Sequence, residues 1–334
     1  MEIQRKHSVV VIGGGTGTHA LLQGLKKYTD SISLKVIVTT ADSGGSTGRL
    51  RDEFGYLPVG DVRMALSAMA KETDEYADIL RQLFLYRFDK GEGLRGHTLG
   101  NLFLVALTDI LGNEEAAIHA ASKVLATCGE VIPVTTSATQ LTAQYDSGIT
   151  IEGEHEIDVA SYVPSSSVIT QLSLKTNMQA CTRALSAINE ADVIVLGPGD
   201  LYTSILANCV VGGVREALCA TKAKTVFVAN LMSRNGQTKD MGTALYLSEI
   251  HKYIGFSPEY MIMNTAPLRP DLLELYAKDG EYPVVQTYTG DETEVIQGDF
   301  VAHDDVVLAK GDVLKRSLIR HDAHKLAHAI MQLV

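Results

Sequence analysis

Ser8-Val9-Val10-Val11-Ile12-Gly13-Gly14-Gly15-Thr16-Gly17-Thr18-His19-Ala20 is the stretch on which the fold turns. An unbroken β-branched run with no polar alternation reads as a strand buried on both faces, the kind found in parallel sheets. Glycines then carry the chain into a helix expected over Thr16–Tyr28. Counted from Gly15, the run fits GxGxxA through Gly15, Gly17 and Ala20. Glycine permits the tight turn and lets phosphate oxygens reach backbone N–H groups, while the helix points its positive end at the anion. Gly13, Gly14, Gly15, Thr16, Gly17 and Thr18 are therefore candidate phosphate ligands. The competing reading keeps these glycines only for close helix–sheet packing.

Outward from this turn the same alternation repeats. A second strand is expected at Leu34–Thr39. Helices are expected at Asp61–Lys71, Glu75–Phe88, Thr98–Leu111 and Glu114–Thr127, where apolar residues recur at three- and four-residue steps. From Val131 to Lys175 the period falls to two, and Leu141–Tyr145 with Ile149–Glu154 flanks an Asp-Ser-Gly turn, a hairpin signature. Strands at Val193–Leu196, Thr225–Ala229, Tyr260–Met263 and Val306–Ala309 then alternate with helices at Leu201–Cys219, Gly242–Ile254, Pro270–Lys278 and Arg320–Leu333. The pattern predicts an α/β, Rossmann-like, doubly wound and mostly parallel sheet. It predicts one domain over residues 1–334, with a helical insertion at about 54–127 and a β-rich one at 131–175.

Three more segments carry chemistry. The second strand runs into Thr39-Thr40-Ala41-Asp42-Ser43-Gly44-Gly45-Ser46-Thr47-Gly48-Arg49-Leu50-Arg51. Asp42 stands where a ribose hydroxyl is commonly held, and Gly44, Gly45, Ser46 and Arg49 form a donor-rich loop suited to an anion. A second strand–glycine–helix turn lies at Gly197-Pro198-Gly199-Asp200, with Thr203 and Ser204 just beyond. Two such turns on one parallel sheet set two helix N-termini on the same rim, which suits a ligand with two phosphates. Asp200 is expected to cap its helix, and so is Asp61. Arg63, His97 and Asn101 sit in polar breaks among apolar helices, where burial demands partners. Asn230 and Asn264 follow strands at the rim and could read a base or sugar amide, and Arg320 and His321 open the last helix. His321, His324 and His328 could share a helical face, but no fourth ligand accompanies them, so no metal site is expected.

Composition narrows the class. The 334 residues carry a net charge of −11, which argues against broad nucleic-acid binding. No apolar stretch approaches membrane-spanning length and no leader is evident, so a cytoplasmic protein without membrane insertion is expected. The four cysteines show no CxxC spacing, and GxxxxGK[ST], GxSxG and HExxH are missing.

Taken together, GGGTGTHALLQGLK at Gly13–Lys26, TADSGGSTGRLRDEFGYLPVGDVRMAL at Thr40–Leu66, YRFDKGEGLRGHTLGNLFLVALT at Tyr86–Thr108, DVIVLGPGDLYTSIL at Asp192–Leu206 and RHDAHKLA at Arg320–Ala327 resemble the gluconeogenesis factor family, relatives of 2-phospho-L-lactate transferase. The resemblance runs nearly end to end. It implies a nucleotide or nucleotide-sugar ligand, UDP-N-acetylglucosamine foremost, and a role in cell-wall building and cell shape on gluconeogenic carbon sources. The alternative it implies is a transferase using Mg2+, with Asp42 and Asp61 as anchors. No catalytic residue is assigned. The chain departs from the family pattern at Asp200, where serine is commoner after GPG, and at Ser43, where relatives often carry a second acid. A homodimer through the hairpin and an unidentified protein partner complete the expectations.

Overall fold

A computed structural model describes residues 5–71, 75–159, 163–164, 167–304 and 318–334. The opening strand β1 (His7–Gly13) is the pivot. Side chains alternate across a strand, and here both sets are buried: Val9 and Val11 face one apolar core, Val10 and Ile12 the other. Such a strand belongs inside a sheet covered on both sides. β1 pairs in parallel with β2 (Ile32–Val38) from His7–Ile32 to Gly13–Val38, and with β7 (Val193–Leu196) from Val9–Val193 to Ile12–Leu196.

The remaining strands extend this core outward. β3 (Glu130–Pro133) lies beyond β2; β8 (Lys224–Val228), β9 (Tyr260–Asn264) and β10 (Glu294–Gly298) follow β7, so the seven-stranded order is β10-β9-β8-β7-β1-β2-β3, and every pairing is parallel. The chain winds one way from β1 to β3 and the other way from β7 to β10. The reversal falls between β1 and β7, where a doubly wound sheet opens a crevice at its carboxyl edge. Both glycine turns leave the sheet at that point.

One face is covered by α1 (Gly15–Leu25), α3 (Gly60–Met69), α4 (Glu75–Leu85), α5 (Leu99–Leu111), α6 (Glu114–Val124) and α13 (Ala323–Met331). The other is covered by α7 (Glu154–Val159), α8 (Thr182–Glu190), α10 (Val214–Ala220), α11 (Thr243–Ile254) and a small antiparallel sheet, ordered β5 (Thr150–Glu152), β4 (Leu141–Tyr145), β6 (Ile169–Leu174). The helix α12 (Pro270–Lys278) lies outside both cores.

Several elements depart from the expectation for stated reasons. The donor-rich loop after Asp42 is a helix, α2 (Gly45–Phe54), capped at its end by Gly55 in the left-handed region. Its polar sequence concealed it, because only Leu50 supplies an apolar anchor buried along it. The helix expected over Leu201–Cys219 is broken into a π-helical turn at Leu201–Leu206, a short α9 (Ala207–Cys209) and α10, with Gly213 at φ +88° between them. The last helix starts at Ala323 rather than Arg320, because the Asp322 carboxylate accepts the His324 and Lys325 N–H groups as its cap. The period-two stretch divides: its first residues are the edge strand β3, and only the rest builds the small sheet. Within that sheet β4 is paired on both sides and its Leu141, Ala143 and Tyr145 are buried, so the hairpin offers a second chain only the short β5 at that edge. The expected strand Val306–Ala309 lies outside the described residues.

α1 and α13 touch at Gly24, where an added methyl would run into the Ala323 carbonyl and stand 2.9 Å from the Ala327 methyl. Gly24→Ala should therefore cost about 1–3 kcal/mol through overpacking. Urea unfolding reads this as a lower midpoint at unchanged slope.

Candidate functional site

The two glycine turns are locked into one another. The Thr18 hydroxyl donates to the Pro198 carbonyl at 3.0 Å, and Asn208 Nδ2 donates to the Gly13 and Ser204 carbonyls at 3.4 and 2.7 Å. Asn230 Nδ2 donates to the Gly199 carbonyl at 2.9 Å. A methyl at Gly17 would stand 2.7 Å from the Pro198 oxygen, and one at Gly199 would stand 3.2 Å from the Gly14 oxygen. Only glycine lets the two backbones approach this closely. Gly13, Gly14, Gly15, Gly17, Gly197, Pro198 and Gly199 thus form one continuous lip, with Thr16 exposed at the head of α1 and Ser204 beside Gly15. Thr203 is buried within the π-helical turn.

Carboxylates line this lip. Asp61 does not cap its own helix: α3 begins one residue earlier, at Gly60, and Asp61 Oδ1 accepts the Gly15 N–H at 2.9 Å. Burial is the main force on its acid, with the Asp42 and Asp200 charges adding to it; together they push the pKa up to about 7, against the Gly15 N–H and Arg63. Asp42 is also raised by burial, and is steadied by the Gly44 N–H at 2.9 Å, the Thr47 hydroxyl, Arg63 and His155. Asp200 has no capping bond from its side chain; burial and Asp158 raise it while Arg234 opposes them. Glu154 is raised well above the ordinary carboxyl range by burial and then by Asp42, Asp158 and Asp61. These acids keep a narrow opening to solvent, but protein surrounds them closely enough for charge repulsion to count.

Sequence reasoning missed Glu154, His155 and Asp158, which arrive on α7 after the hairpin. The acidic run Glu154-His155-Glu156 follows no ligand motif. Its one legible signal was the concentration of charge directly after Gly153. Ser43 donates its N–H to Glu154 and accepts the His155 N–H at 3.0 Å. Burial opposes the charge on Arg234, yet Asp200, Asp158 and Glu281 together raise its pKa; its guanidinium meets Asp158 at 2.7 Å and Glu281 at 3.5 Å.

The helical insertion contributes a buried polar chain. Arg63 Nε donates to Asn101 Oδ1 at 2.9 Å, and Asn101 Nδ2 donates to Ser46 Oγ at 3.2 Å and Thr47 Oγ1 at 3.4 Å. Ser46 Oγ pairs with His97 Nδ1 at 3.1 Å. Burial first, and then Arg49 and Arg87, lower the His97 pKa and keep the ring neutral. Thr47 joins this chain to Asp42. Of the expected loop residues, Gly44 and Gly45 open α2, while Arg49 lies exposed with Nη2 donating to the Arg95 carbonyl at 3.1 Å.

The late candidates divide. Both ends of the Asn264 amide bind backbone, the Ala266 carbonyl and the Phe300 N–H, each at 2.9 Å. Arg320 is exposed, while His321 is buried with a hydrogen bond to the Ala229 backbone, next to Asn230. Among the described residues no three His, Cys, Asp or Glu side chains converge to cage a metal, and no helix is long and apolar enough to cross a membrane. His324 meets Lys27 and His328 meets Gln332, so those two histidines point to separate partners.

Residues 9–301 match the family described as 2-phospho-L-lactate transferase CofD. The chain is 37% identical over 330 residues to the gluconeogenesis factor of Halalkalibacterium halodurans, covering 98% of this chain and 97% of that one. It is 33% identical to the gluconeogenesis factor of Bacillus subtilis, covering 99% of each. A crystal structure of a UPF0052 family protein from Bacillus halodurans superposes with a TM-score of 0.86 at 35% identity, over 98% of this chain and 99% of that one. The chain belongs to the 2-phospho-L-lactate transferase CofD family, and within it to the gluconeogenesis factors.

Proposed function

We propose that the interlocked glycine lip holds the pyrophosphate of a nucleotide sugar, with UDP-N-acetylglucosamine as the ligand. In this reading the protein is a cytoplasmic regulator that supports cell-wall synthesis and cell shape on gluconeogenic carbon sources. The observation that carries it is the meeting of two strand–glycine turns at the sheet's point of reversal. Two phosphates find backbone donors there from both turns. The uridine and the sugar rest on the family resemblance. Asn230, and Arg320 and His321 at the neighbouring edge, are the candidate base and sugar contacts.

A specific observation favours a second reading, a transferase. Asp42 and Asp61 repel one another in a closely packed site, and a divalent cation between them and the phosphates would relieve that repulsion. Mg2+ suits such a place because it takes one or two carboxylates and completes its shell with phosphate oxygens and water. Bound there, it would neutralise charge on a departing phosphate. The chain's own part is positional: Asp61 fixes the Gly15 turn, and the Arg63–Asn101–Thr47 chain fixes Asp42.

Thermal shift separates these readings. UDP-N-acetylglucosamine, GDP, GTP and NAD are compared with and without magnesium; a ligand at a hundred times its dissociation constant adds about 2.7 kcal/mol. Stabilisation by UDP-N-acetylglucosamine, which then stays intact over hours with candidate acceptors, supports the regulator. Turnover supports the transferase. Stabilisation by NAD alone overturns both.

A further inference from the structure

Among the described residues, no hydrogen-bond donor serves the Asp200 carboxylate. The residue stands at the head of the π-helical turn, and its backbone carbonyl accepts the Ser204 and Ile205 N–H groups at 3.0 and 3.1 Å, but its side chain caps nothing. Arg234 acts on it through charge alone, since that guanidinium is bonded to Asp158 and Glu281. The neighbouring side chain repeats the pattern. Asn230 gives Nδ2 to the Gly199 carbonyl, which fixes the amide, and leaves Oδ1 buried without a partner. Gln237, 2% exposed further along the same loop, gives Nε2 to Asp158 and likewise leaves Oε1 unpaired. Buried acceptors are ordinarily paired, so this end of the lip is short of donors.

That shortage says what can lie there. A phosphate brings only acceptors and negative charge, and the Asp200 charge already bears on Asp61 at the lip. An ammonium group is opposed by Arg234, whose positive charge reaches the same carboxylate. Neutral donors remain, and hydroxyls are the neutral donors that a sugar carries beyond its phosphates. A hydroxyl bonded to a carboxylate makes one of the stronger hydrogen bonds open to a neutral ligand. We infer that Asp200, with Asn230 Oδ1 across Gly199 from it, accepts hydroxyls of the ligand's sugar and is the residue that makes the site prefer a sugar-bearing nucleotide to the bare diphosphate. The inference rests on the nucleotide-sugar reading of the lip and divides the labour within it. The glycine turns hold phosphates whatever is attached to them, and Asp200 penalises those phosphates slightly while rewarding the sugar. Preference for one ligand is a difference of two affinities, and a group that disfavours the competitor contributes to it as much as one that favours the ligand.

Isothermal titration calorimetry of the full chain tests this with UDP and UDP-N-acetylglucosamine, at fixed pH and fixed magnesium. Wild-type protein should bind the sugar nucleotide about ten-fold or more tightly than UDP, the margin expected of hydrogen bonds to a charged acceptor. Asp200→Ser should lose most of that margin while binding UDP at least as tightly as the wild type, because a negative charge has left the lip. Asp200→Asn keeps the shape and one acceptor, and its margin should fall between the two. A merely structural role for Asp200 would weaken both ligands together. That result, or a wild type that binds the two ligands alike, overturns the inference and leaves the phosphate role of the lip standing. Wild-type protein that binds neither ligand overturns the reading of the lip, and this inference with it.

Discussion

Asp61→Asn should stabilise the ligand-free protein by as much as about 4 kcal/mol at pH 8 and by almost nothing near pH 4, because the buried Asp61 carboxyl penalises folding increasingly as the pH rises between those values. Its pKa moves from 3.8 in the unfolded chain to about 7 in the folded one, and each unit is worth about 1.4 kcal/mol. Between those values the folded state holds a proton that the unfolded state has released, so stability falls with rising pH. Below about pH 4 both states are protonated and the penalty vanishes. Above about pH 7 it is complete, and the narrow solvent opening makes this figure an upper one. Asp61→Asn keeps an acceptor for the Gly15 N–H and removes the titration. The variant should match the wild type near pH 4 and exceed it by up to about 4 kcal/mol at pH 8, as urea unfolding would show. It should also relax Glu154, which feels the Asp61 charge. A difference between the two proteins that stays constant from pH 4 to pH 8 sinks the prediction.

That instability bears on ligand binding. Asp61 occupies the Gly15 N–H, a donor that a phosphate would otherwise take, and sets negative charge on the lip where phosphates are proposed to lie. A phosphate ligand must therefore arrive with a proton or a cation, or displace the carboxylate. The prediction for wild-type protein at pH 8 is that magnesium enlarges the thermal shift given by a nucleotide, and that Asp61→Asn reduces this enlargement.

The doubly wound sheet was legible in the sequence because its signals are local. Ser8–Ile12 could not be an exposed strand, and the glycine runs after β1 and β7 mark strand-to-helix turns wherever they occur. The meeting of those turns also followed, since strands of one parallel sheet end on one rim. Less legible was anything depending on contacts between distant segments. Asp61 looked like a helix cap because an acid at the start of a helix usually is one; its true partner, Gly15, is forty-six residues away. α2 was hidden because it buries mainly small residues, Ser46, Thr47 and Gly48, and the partners of the two hydroxyls, Asn101 and His97, come from α5 and the turn before it. Glu154 and Asp158 were invisible because their significance lies in Asp42 and Arg234. β10 escaped because an edge strand reading Glu-Val-Ile-Gln-Gly carries too little apolar pattern to declare itself.

His321 should impose the opposite pH dependence, and the two effects can be separated. Burial lowers its pKa to about 4 from 6.5, partly offset by the hydrogen bond to the Ala229 backbone. Above about pH 6.5 the ring is neutral in both states and costs nothing. Below that the unfolded chain gains a proton that the folded chain refuses until about pH 4, so stability falls by about 3 kcal/mol as the pH drops through the interval. Asp61 works in the reverse direction over the same interval, so in the wild type the two largely offset one another. Removing either should expose the other. Asp61→Asn should gain about 3 kcal/mol in stability between pH 4 and pH 6.5, whereas His321→Gln should lose stability over that interval. The double variant should show a slope between those of the two singles, because neither group is left to titrate and the sites lie on separate turns with no shared partner. Urea midpoints at half-unit pH steps measure all four proteins. If both single variants tilt in the same direction, the pairing of a buried neutral histidine with a buried protonated acid is wrong.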